Sequence, residues 1–499
     1  MKILFIRPNK DAFGFKPIGL SLLSALCKRN GHQVELFDAT FYDLGFEEYS
    51  TTGNRINKFK PVDWSGYDVK KIKVDLRKEF FKTLKNYSPD ICAFSVLSDE
   101  RLVAMEISEY IKEYDSDIPV IWGGIYPTVA PEDAINVKTV DYICVSEGIE
   151  AFPELLNAIE NKKNTTKIKN IYAKNNGVIS KNEIRPLYKD MDRLPFVDWE
   201  IYDKRQFYKP FDGNVVKGGD WMSNWGCLYK CTYCINNWLN KLSGRILRRY
   251  SPERAVQELR YLKEKYAINF LRFHDEDFLM RPLEHLKEFA AFYSKEIHLP
   301  FSVEINPISV TKEKVGILKD MGIASVSMAI ESGNKYIRKD ILKRVDSLDC
   351  VIKAFQLFKE AGIRTVAFNM IGLPFEDREK IFDTIEVNRK ASPTVADCWF
   401  FFPFEATELY DVSIKKGFYD KKEAPIYRGD YPALKLPGLT REELMSVQKC
   451  FSLYVKMPKS FYKLINRAEK NDPIGQEIFD ILSTIYNKHV FDEDGYFKE

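Results

Sequence analysis

The 499-residue sequence lacks several features that would each place it in a class of proteins. Charge is nearly balanced, with 75 Lys and Arg residues against 72 Asp and Glu, so no strong positive field would attract nucleic acid or an anionic membrane. No apolar run approaches the roughly 18 residues that a membrane-spanning helix needs. The opening "MKILFIRPNK" has too short an apolar stretch for a signal peptide. These absences predict a cytoplasmic protein with no transmembrane segment and no nucleic-acid partner.

The composition is that of a large globular protein. Hydrophobic residues make up 45% of the chain, and a chain of this length typically forms about three domains. With no export signal, the nine cysteines are expected to be reduced, so clustered cysteines indicate metal binding or catalysis rather than disulfides. The scattered cysteines are predicted to be small buried apolar residues: Cys27, Cys92, Cys144, Cys350, Cys398 and Cys450.

The first 160 residues alternate short apolar strands with helical patterns. "KILFIRP" precedes a helical pattern that stops at Gly31, and "QVELFDA", "DICAFSVLS", "IPVIWGG" and "VDYICVSEG" follow as further strands. This alternation predicts an α/β domain over residues 1–160 with a doubly wound parallel sheet, which binds its ligand at the carboxyl ends of the strands. Residues 161–215 are predicted to be a linker that contains a β-hairpin around the Asn-Gly of "NNG".

Three cysteines stand close together in "NWGCLYKCTYC", and no fourth follows nearby. Cys227, Cys231 and Cys234 have the spacing C-x3-C-x2-C, and the next cysteine and histidine are Cys350 and His274. A structural zinc site is closed by four ligands, and a bacterial ferredoxin run has other spacings. Three thiolates on one short loop instead suit three irons of a [4Fe-4S] cluster, with the fourth iron left open to a small molecule.

Downstream of the cysteines, strand and helix patterns alternate again. Six strands, from "WMSNWG" to "ADCWFFF", predict a partial (β/α)6 barrel over residues 216–415, whose chemistry lies at the carboxyl ends of its strands. Ser251 is predicted to cap the helix at 251–266. Residues 416–499 are predicted to form a small, mainly helical domain, in which Thr440 and Glu443 make a capping box.

The form "GCLYKCTYC", with an aromatic residue before the last cysteine, resembles the signature of the radical S-adenosylmethionine superfamily. The resemblance implies that the three cysteines hold the cluster and that its open iron chelates the amino and carboxylate groups of S-adenosylmethionine. It also implies an electron donor such as flavodoxin or ferredoxin for the cluster, and an electron from the cluster would then cleave S-adenosylmethionine to methionine and a 5′-deoxyadenosyl radical.

Further stretches at strand ends resemble cofactor contacts of the same family. "HDEDF" stands where the family contacts the methionyl amine, which implies this role for Asp275 and Glu276. Glu331 in "AIESG" resembles the acceptor of the ribose hydroxyls. Gly372 and Pro374 in "NMIGLP" resemble the backbone stretch beside the adenine.

The stretch after the sixth strand departs from the family. In "FPFEATELY", Glu405 and Ala406 replace the Pro and Gly of a "PYPGT-x-L" ending, which indicates a substrate-facing difference. Tyr427 and Arg428 are predicted to close the barrel mouth over a substrate.

The N-terminal strand ends resemble the cobalamin-binding domain family, whose pattern is an Asp-x-His-x-x-Gly loop, then Ser-x-Leu, then Gly-Gly. Asp38, Ser95, Leu97, Gly123 and Gly124 match this pattern in order. The resemblance implies that these residues bind cobalamin.

One departure concerns the metal of that cofactor. Thr40 stands in the loop where the family has its cobalt-ligating histidine, and Asp43 stands where it has Gly. "GGIYPTVAPEDA" followed by "VSEGIEAFPELL", with Glu147 and Gly148, resembles the version of this domain that is fused to radical S-adenosylmethionine enzymes and commonly lacks the histidine. Cobalamin is therefore expected here without a protein ligand from this loop.

The resemblance implies a cobalamin-dependent radical S-adenosylmethionine methyltransferase that acts on an unactivated carbon. One S-adenosylmethionine would methylate cobalamin and a second would yield the radical that abstracts a substrate hydrogen. Two alternatives stay open: a radical enzyme that does not transfer methyl, such as a cyclase, with or without cobalamin, and a non-catalytic scaffold stabilised by a metal. The substrate is left open among small molecules, lipids, sugars, phosphonates and peptides.

Overall fold

The computed structural model describes residues 1–9, 14–45, 56–58, 60–175, 177–421 and 431–492. Tyr427 and Arg428 lie outside these residues. The chain divides into two compact units, one within Met1–Glu48, Trp64–Lys209 and Trp238–Tyr250, the other within Tyr49–Asp63, Pro210–Asn237 and Ser251–Glu499. Finer domain boundaries remain a prediction. Within the described ranges, no helix has the length and apolarity needed to span a membrane.

The secondary structure alternates strands and helices through most of the chain. The strands are β1 (Lys2–Arg7), β2 (Gln33–Asp38), β3 (Ile91–Ser95), β4 (Val120–Gly123), β5 (Tyr142–Cys144), β6 (Ile171–Asn175), β7 (Val178–Ser180), β8 (Tyr208–Phe211), β9 (Asn214–Trp221), β10 (Asn224–Trp225), β11 (Arg248–Arg249), β12 (Phe270–Phe273), β13 (Phe301–Ile305), β14 (Ile323–Glu331), β15 (Arg364–Ile371) and β16 (Val395–Phe400).

The α-helices are α1 (Ile18–Arg29), α2 (Leu76–Tyr87), α3 (Arg101–Tyr114), α4 (Ile125–Val129), α5 (Pro131–Asn136), α6 (Gly148–Glu160), α7 (Ile235–Ser243), α8 (Pro252–Tyr266), α9 (Leu283–Glu296), α10 (Lys312–Asp320), α11 (Leu348–Glu360), α12 (Arg378–Ala391), α13 (Glu408–Lys415), α14 (Arg441–Lys456), α15 (Tyr462–Ala468) and α16 (Pro473–Tyr486). Short 3-10 helices cover Ala39–Phe41, Met191–Arg193, Lys204–Phe207, Pro307–Ser309 and Lys459–Phe461, and π-helices cover Ile337–Ile341 and Asn487–Asp492.

The first unit is built on a seven-stranded sheet in the order β2-β1-β3-β4-β5-β6-β7. Its first five strands run parallel, which confirms the doubly wound prediction. The predicted hairpin forms from β6 and β7, and β6 pairs antiparallel with β5, so the hairpin extends the sheet rather than lying apart from it. Because the strand order reverses between β1 and β3, the carboxyl ends of these two strands flank the crevice where such sheets bind ligands.

The second unit is built on the sheet β16-β15-β14-β13-β12-β9-β8. The six strands β9 and β12 to β16 are parallel, as predicted for a partial barrel. Ser251 caps α8 through its hydroxyl, which accepts from the Arg254 N–H at 3.3 Å. The C-terminal helices pack on the barrel's outer face through Leu444, Phe451 and Phe479, in the same core as Ile371 and Phe400.

Two local predictions have different outcomes. The capping box at the start of α14 is confirmed, since the Thr440 hydroxyl and the Glu443 carboxylate each accept the other's backbone N–H. Five of the six scattered cysteines are buried as predicted, but Cys350 is half-buried. Cys350 lies in the first turn of α11, where its Sγ points towards the Pro307 carbonyl oxygen at 3.8 Å instead of into the core.

Gly333 follows β14 at a point where the backbone leaves no room for a side chain. A Cβ there would lie 2.2 Å from the Asp383 carbonyl oxygen, whereas Gly316 in α10 has nothing within 4 Å of such an atom. We expect Gly333→Ala to lower the free energy of unfolding by about 3 kcal/mol or more, because backbone must shift. Gly316→Ala, the control, is expected to raise it by up to about 1 kcal/mol. Equal urea midpoints for the two variants would contradict this close approach.

Candidate functional site

The three motif cysteines lie in one loop of the second unit, between β10 and α7. Cys227, Cys231 and Cys234 are half-buried thiols that form no disulfide. Both other sulfurs are electrostatic neighbours of Cys234, so the loop brings the three together. Burial raises the pKa of Cys227 to about 12 and also raises the pKa values of Cys231 and Cys234. The thiols are therefore protonated on their own, and a bound metal must displace these protons.

The donor set of this loop fits an iron–sulfur cluster. In the described part of the chain, no three His, Cys, Asp or Glu side chains are gathered closely enough to hold one metal ion. A [4Fe-4S] cluster does not need three side chains around one metal ion, since each thiolate binds a different iron. The backbone N–H groups of Tyr229 and Asn236 bond to the sulfurs of Cys227 and Cys234 and lower their pKa values, against the larger effect of burial. Such bonds stabilise a thiolate.

Thr232, between two of the cysteines, fixes the loop to the rest of the barrel unit. It is 2% exposed. Its backbone N–H donates to the Leu342 carbonyl at 3.2 Å, and its hydroxyl donates to the Ile341 carbonyl at 2.6 Å. Its own carbonyl accepts from the Leu409 N–H at 3.1 Å. Sequence reasoning missed this residue, although its place inside the motif was a signal.

The carboxylate of Asp275, predicted to contact the cofactor, is hydrogen-bonded to other residues of the protein. It is fully buried, and it accepts from the Ser223 N–H at 2.6 Å and from Arg281 at 2.7 Å. These bonds join the chain just after β9 to the chain just after β12. Burial raises the pKa of Asp275, and the Arg281 guanidinium partly opposes this rise. A cofactor contact for Asp275 stays a prediction, but its hydrogen bonds are those of a positioning residue.

The next two carboxylates differ in availability. Glu276 is exposed and accepts from the Asn236 amide at 2.5 Å, beside the cysteine loop. Its pKa is raised to about 7, chiefly by desolvation. Asp277 is buried and accepts from the Tyr229 hydroxyl at 3.2 Å and the Ser309 hydroxyl at 2.5 Å. Glu276 thus faces open space, while Asp277, the third carboxylate of "HDEDF", holds the cysteine loop.

Glu331 ends β14 and contacts the cysteine loop from the other side. Its Oε1 accepts from the Tyr233 hydroxyl at 3.1 Å, and that hydroxyl accepts from Arg344 at 3.1 Å. Arg344 is held in turn by Asp346 at 2.9 Å. Burial raises the pKa of Glu331, and Arg344 opposes the rise. The aromatic residue before the last cysteine is therefore the link between the loop and the predicted ribose acceptor.

The turn after β15 is held from inside by Glu376. The N–H groups of Gly372 and Leu373 donate to its Oε2 at 2.6 and 3.1 Å. Glu376 is 2% exposed, and no described residue makes a hydrogen bond to its Oε1. Burial raises its pKa to about 8. The backbone from Gly372 to Pro374, predicted to lie beside adenine, is thus positioned by a carboxyl group that sequence reasoning missed.

Three non-glycine residues in left-handed backbone conformation mark the carboxyl ends of β14, β15 and β16. The φ angles are 63° at Glu331, 66° at Phe375 and 64° at Ala406. Such strain costs roughly 1–3 kcal/mol per residue and gathers at functional sites. It also explains why the family has Gly where this chain has Ala406. Glu405 beside it has a buried Oε2 to which no described residue makes a hydrogen bond.

The residues predicted to bind cobalamin lie at the carboxyl ends of the first unit's strands. Ser95 and Gly123 end the neighbouring strands β3 and β4 and are register partners. Gly124 has φ 96°, and a Cβ on it would lie 2.9 Å from the Val96 backbone, so only glycine fits there. The side chain of Leu97 is 38% exposed at the same edge.

The loop after β2 shows what replaces the histidine. Thr40 is fully buried, and its Oγ1 donates to Asp38 at 2.5 Å and accepts from Asn9 at 2.8 Å. The other oxygen of Asp38 accepts from Gln206 at 2.7 Å. The Thr40 hydroxyl is therefore committed to the protein and is not a cobalt ligand. His32 is no substitute, since its Nδ1 lies 3.3 Å from the terminal amine of Met1.

Glu147 and Gly148 begin α6 at the end of β5. The Glu147 carboxylate accepts from both terminal nitrogens of Arg248, and its Oε2 also accepts from the Tyr188 N–H at 3.1 Å. A Cβ on Gly148 would meet the Leu23 side chain at 3.4 Å. Glu147 thus has a structural ion pair, and the predicted cofactor contact of both residues remains a prediction.

Loss of the Thr232 hydroxyl should weaken the cysteine loop. Thr232→Val keeps the shape but leaves the Ile341 carbonyl without its donor, at a cost of about 1–3 kcal/mol. We expect a several-fold lower iron content after anaerobic reconstitution, whereas Thr232→Ser, the control, retains the native content. Native iron content in Thr232→Val would show that this bond does not position the loop.

Glu376 should make stability fall as pH rises. Its native pKa of about 8 exceeds the ordinary 4.5, so its contribution is complete below about pH 4.5 and is lost as pH rises through 8. Glu376→Gln keeps an acceptor for the two N–H groups and should flatten the fall in urea midpoint between about pH 5 and 8. Glu379→Gln, an exposed neighbour, is the control. Identical pH slopes in both variants would refute a protonated Glu376.

Two known domain families match the chain, in the order that the sequence predicts. Residues 225–387 match the Radical SAM superfamily, and residues 62–156 match the B12 binding domain. An uncharacterized methyltransferase of Pyrococcus horikoshii is 24% identical, over 93% of this chain and 94% of its own length. An anaerobic magnesium-protoporphyrin IX monomethyl ester cyclase of Rubrivivax gelatinosus is 23% identical, over 89% of this chain and 75% of its own.

A solved structure shares the fold of nearly the whole chain. It is the radical S-adenosylmethionine methyltransferase TsrM from Kitasatospora setae, with cobalamin and a [4Fe-4S] cluster bound. The TM-score is 0.65 at 16% identity, and the match covers 92% of this chain and 82% of that one. The B12-binding domain followed by the radical SAM barrel is thus a known architecture. The chain therefore carries a B12-binding domain followed by a radical SAM domain.

Proposed function

We propose that this protein is a cobalamin-dependent radical S-adenosylmethionine methyltransferase that methylates an unactivated carbon. The observation that carries the proposal is the loop of three half-buried cysteine thiols, held by Thr232 and flanked by Glu276 and Glu331, at the carboxyl ends of a parallel half-barrel. A chain with a radical SAM domain and a B12-binding domain has sites for the two cofactors that this reaction needs.

When bound, the [4Fe-4S] cluster, S-adenosylmethionine and cobalamin supply the radical and the methyl carrier, which no side chain provides. Cys227, Cys231 and Cys234 hold three irons and leave the fourth open. Glu276 accepts the methionyl amine, for which its exposed carboxylate is free on one side. Asp275 orients this strand end through Ser223 and Arg281 instead of touching the cofactor.

The nucleoside part of S-adenosylmethionine is assigned to the neighbouring strand ends. Glu331 accepts the ribose hydroxyls, and the Tyr233 hydroxyl fixes its orientation. The backbone from Gly372 to Pro374 lies beside the adenine, and Glu376 holds its N–H groups turned inward. The carbonyl groups of this turn are thereby left for the ligand.

Cobalamin is assigned to the carboxyl edge of the first unit's sheet. Gly123 and Gly124 let the backbone approach the ring, and Ser95 and Leu97 line the same edge. Thr40 would give a bound cobalamin no metal ligand, because its hydroxyl is bonded to Asp38 and Asn9. Glu147 and Gly148 would contribute to this site from the chain that follows β5.

The organisation that we propose follows the two matched domains. Residues 1–160 bind cobalamin, 161–215 connect, 216–415 form the radical barrel and 416–499 form the helical domain. An electron donor such as flavodoxin or ferredoxin reduces the cluster, and the enzyme acts in the cytoplasm on a small molecule.

A second candidate is a radical reaction without methyl transfer, such as oxidative cyclisation. The similarity to an anaerobic cyclase favours it. The buried, hydrogen-bonded Thr40 is compatible with either reaction, because it shows only that this loop gives cobalt no ligand.

Product analysis separates the two candidates. Anaerobically reconstituted protein is incubated with S-adenosylmethionine, cobalamin and a strong reductant, and products are identified by mass spectrometry. We expect both S-adenosylhomocysteine and 5′-deoxyadenosine. Cys231→Ala should lose 5′-deoxyadenosine, because one iron ligand is gone, while Cys350→Ala, outside the motif, should retain both products.

The outcomes are distinct. 5′-Deoxyadenosine without S-adenosylhomocysteine would favour the non-methylating reaction. Neither product, or equal 5′-deoxyadenosine from Cys231→Ala, would contradict the radical assignment.

A further inference from the structure

The segment that leads into α1, residues 14–17, lies at the carboxyl edge of the first unit's sheet. It connects the carboxyl end of β1 with the first residue of α1, Ile18. The crevice where such sheets bind ligands lies between β1 and β3, so this segment is beside it. The match to the B12 binding domain begins only at residue 62 and gives none of these residues a role.

Two buried cations hold the backbone of this segment. Arg7 donates to the Phe15 carbonyl at 2.6 Å, and Lys209 donates to the Gly14 carbonyl at 2.8 Å. Burying a charge is costly, and the carbonyl groups of an ordinary surface connection can bond to water instead. The two bonds therefore fix the position of a segment that also carries an exposed aromatic side chain.

The side chains of Phe15 and Lys16 point to opposite environments. Lys16 is fully buried, and its ammonium lies 4.4 Å from the centroid of the Phe207 ring and 5.2 Å from that of Trp199. Phe15, the residue before it, is 49% exposed. Because Lys16 is directed into the protein, Phe15 is presented outward at the edge of the sheet.

Two further apolar side chains are exposed at the same edge. Leu97 follows β3 and is 38% exposed, and Ile125 follows β4 and is 37% exposed. Strands β1, β3 and β4 are neighbours in the sheet, so Phe15, Leu97 and Ile125 follow three adjacent strand ends. Single exposed hydrophobic residues need no explanation, but several along one edge mark a binding surface.

Arg7 connects the two sides of the crevice. It is bonded to the Phe15 carbonyl on the side of β1. Burial raises the pKa of Glu100 to about 7, and the Arg7 guanidinium is close enough to oppose this rise. The Glu100 carboxylate in turn accepts from the Leu97 N–H at 3.1 Å. Phe15 and Leu97 are thus both positioned from the same guanidinium, one on each side.

The chemistry of this edge suits the corrin ring of cobalamin. The ring is a broad, flat macrocycle with apolar faces, and ligand sites of this kind are lined mainly by hydrophobic and aromatic side chains. A phosphate group would need an accessible cation, but Arg7, Lys16 and Lys209 are all buried. The apolar surface therefore favours the ring of the cofactor over its charged phosphodiester.

We infer that Phe15 packs against the corrin ring of cobalamin and that Arg7 and Lys209 hold it in place for this contact. The inference rests on the proposed function, in which this edge of the sheet holds the cofactor. It adds a contact from the chain after β1 to those predicted after β3 and β4. Because the Phe15 side chain has no donor atom, it binds the ring without ligating the metal.

The test compares the affinity of the reconstituted full chain and its variants for hydroxocobalamin, measured anaerobically by absorbance titration. We expect Phe15→Ala to bind about tenfold more weakly, because an aromatic contact is lost, and Phe15→Leu to be intermediate. The control is Tyr114→Ala, which removes an exposed aromatic ring at the C-terminal end of α3, on the opposite edge of the sheet. This control should bind like the native protein.

A second probe, diaquacobinamide, keeps the corrin ring but lacks the nucleotide tail. If Phe15 packs against the ring, Phe15→Ala should lose affinity for both corrinoids by the same factor. Its iron content after reconstitution should equal that of the native protein, which shows that the variant is folded. A loss seen with hydroxocobalamin alone would place the contact on the tail and overturn the inference.

The remaining outcomes separate the inference from the proposed function. Equal affinities of Phe15→Ala and the native protein, or an equal loss in Tyr114→Ala, would overturn the inference and leave the proposed function standing. A native protein that binds neither corrinoid would overturn both.

Discussion

The fixing of the cysteine loop by partly buried hydrogen bonds is the constraint on which the rest of the site depends. Thr232 ties the loop to the chain at residues 341–342, Tyr229 ties it to Asp277, and Tyr233 ties it to Glu331. Each bond is partly buried, and each restricts the motion of a loop that has only three side chains to hold its metal. The bond from Tyr233 also holds Glu331, a predicted contact for S-adenosylmethionine, beside the loop. The same hydrogen bonds therefore position both the metal ligands and a cofactor contact.

Charge and strain are concentrated at the same end of the barrel. Desolvation raises the pKa values of Glu276, Asp277 and Glu376, which lie after β12 and β15. Left-handed backbone at Glu331 and Ala406 marks the strand ends beside them. Both features cost stability, and the apolar core under the barrel helices offsets that cost. The arrangement is typical of a fold whose outer layer supplies stability while its open end holds the chemistry.

The parts of the fold with strong periodicity were predictable from the sequence. The parallel strands, the Ser251 cap and the Thr440 capping box follow local rules, and all three are confirmed. The role of Asp275 was not predictable, because Arg281 becomes its partner only when two strand ends meet. Glu376 gave no motif at all, since its burial and its bonds to two backbone N–H groups, not its spacing, make it notable. Cys350 was placed wrongly because a cysteine in a helical pattern does not show which face it occupies.

The most direct test of the account is electron paramagnetic resonance of the reduced, reconstituted protein before and after S-adenosylmethionine is added. A cluster with three cysteine ligands and one open iron should change its spectrum on addition, because the ligand binds that iron. Glu276→Gln should require a higher concentration for the same change. A spectrum that S-adenosylmethionine leaves unaltered would contradict the claim that S-adenosylmethionine binds the fourth iron, which no cysteine ligates.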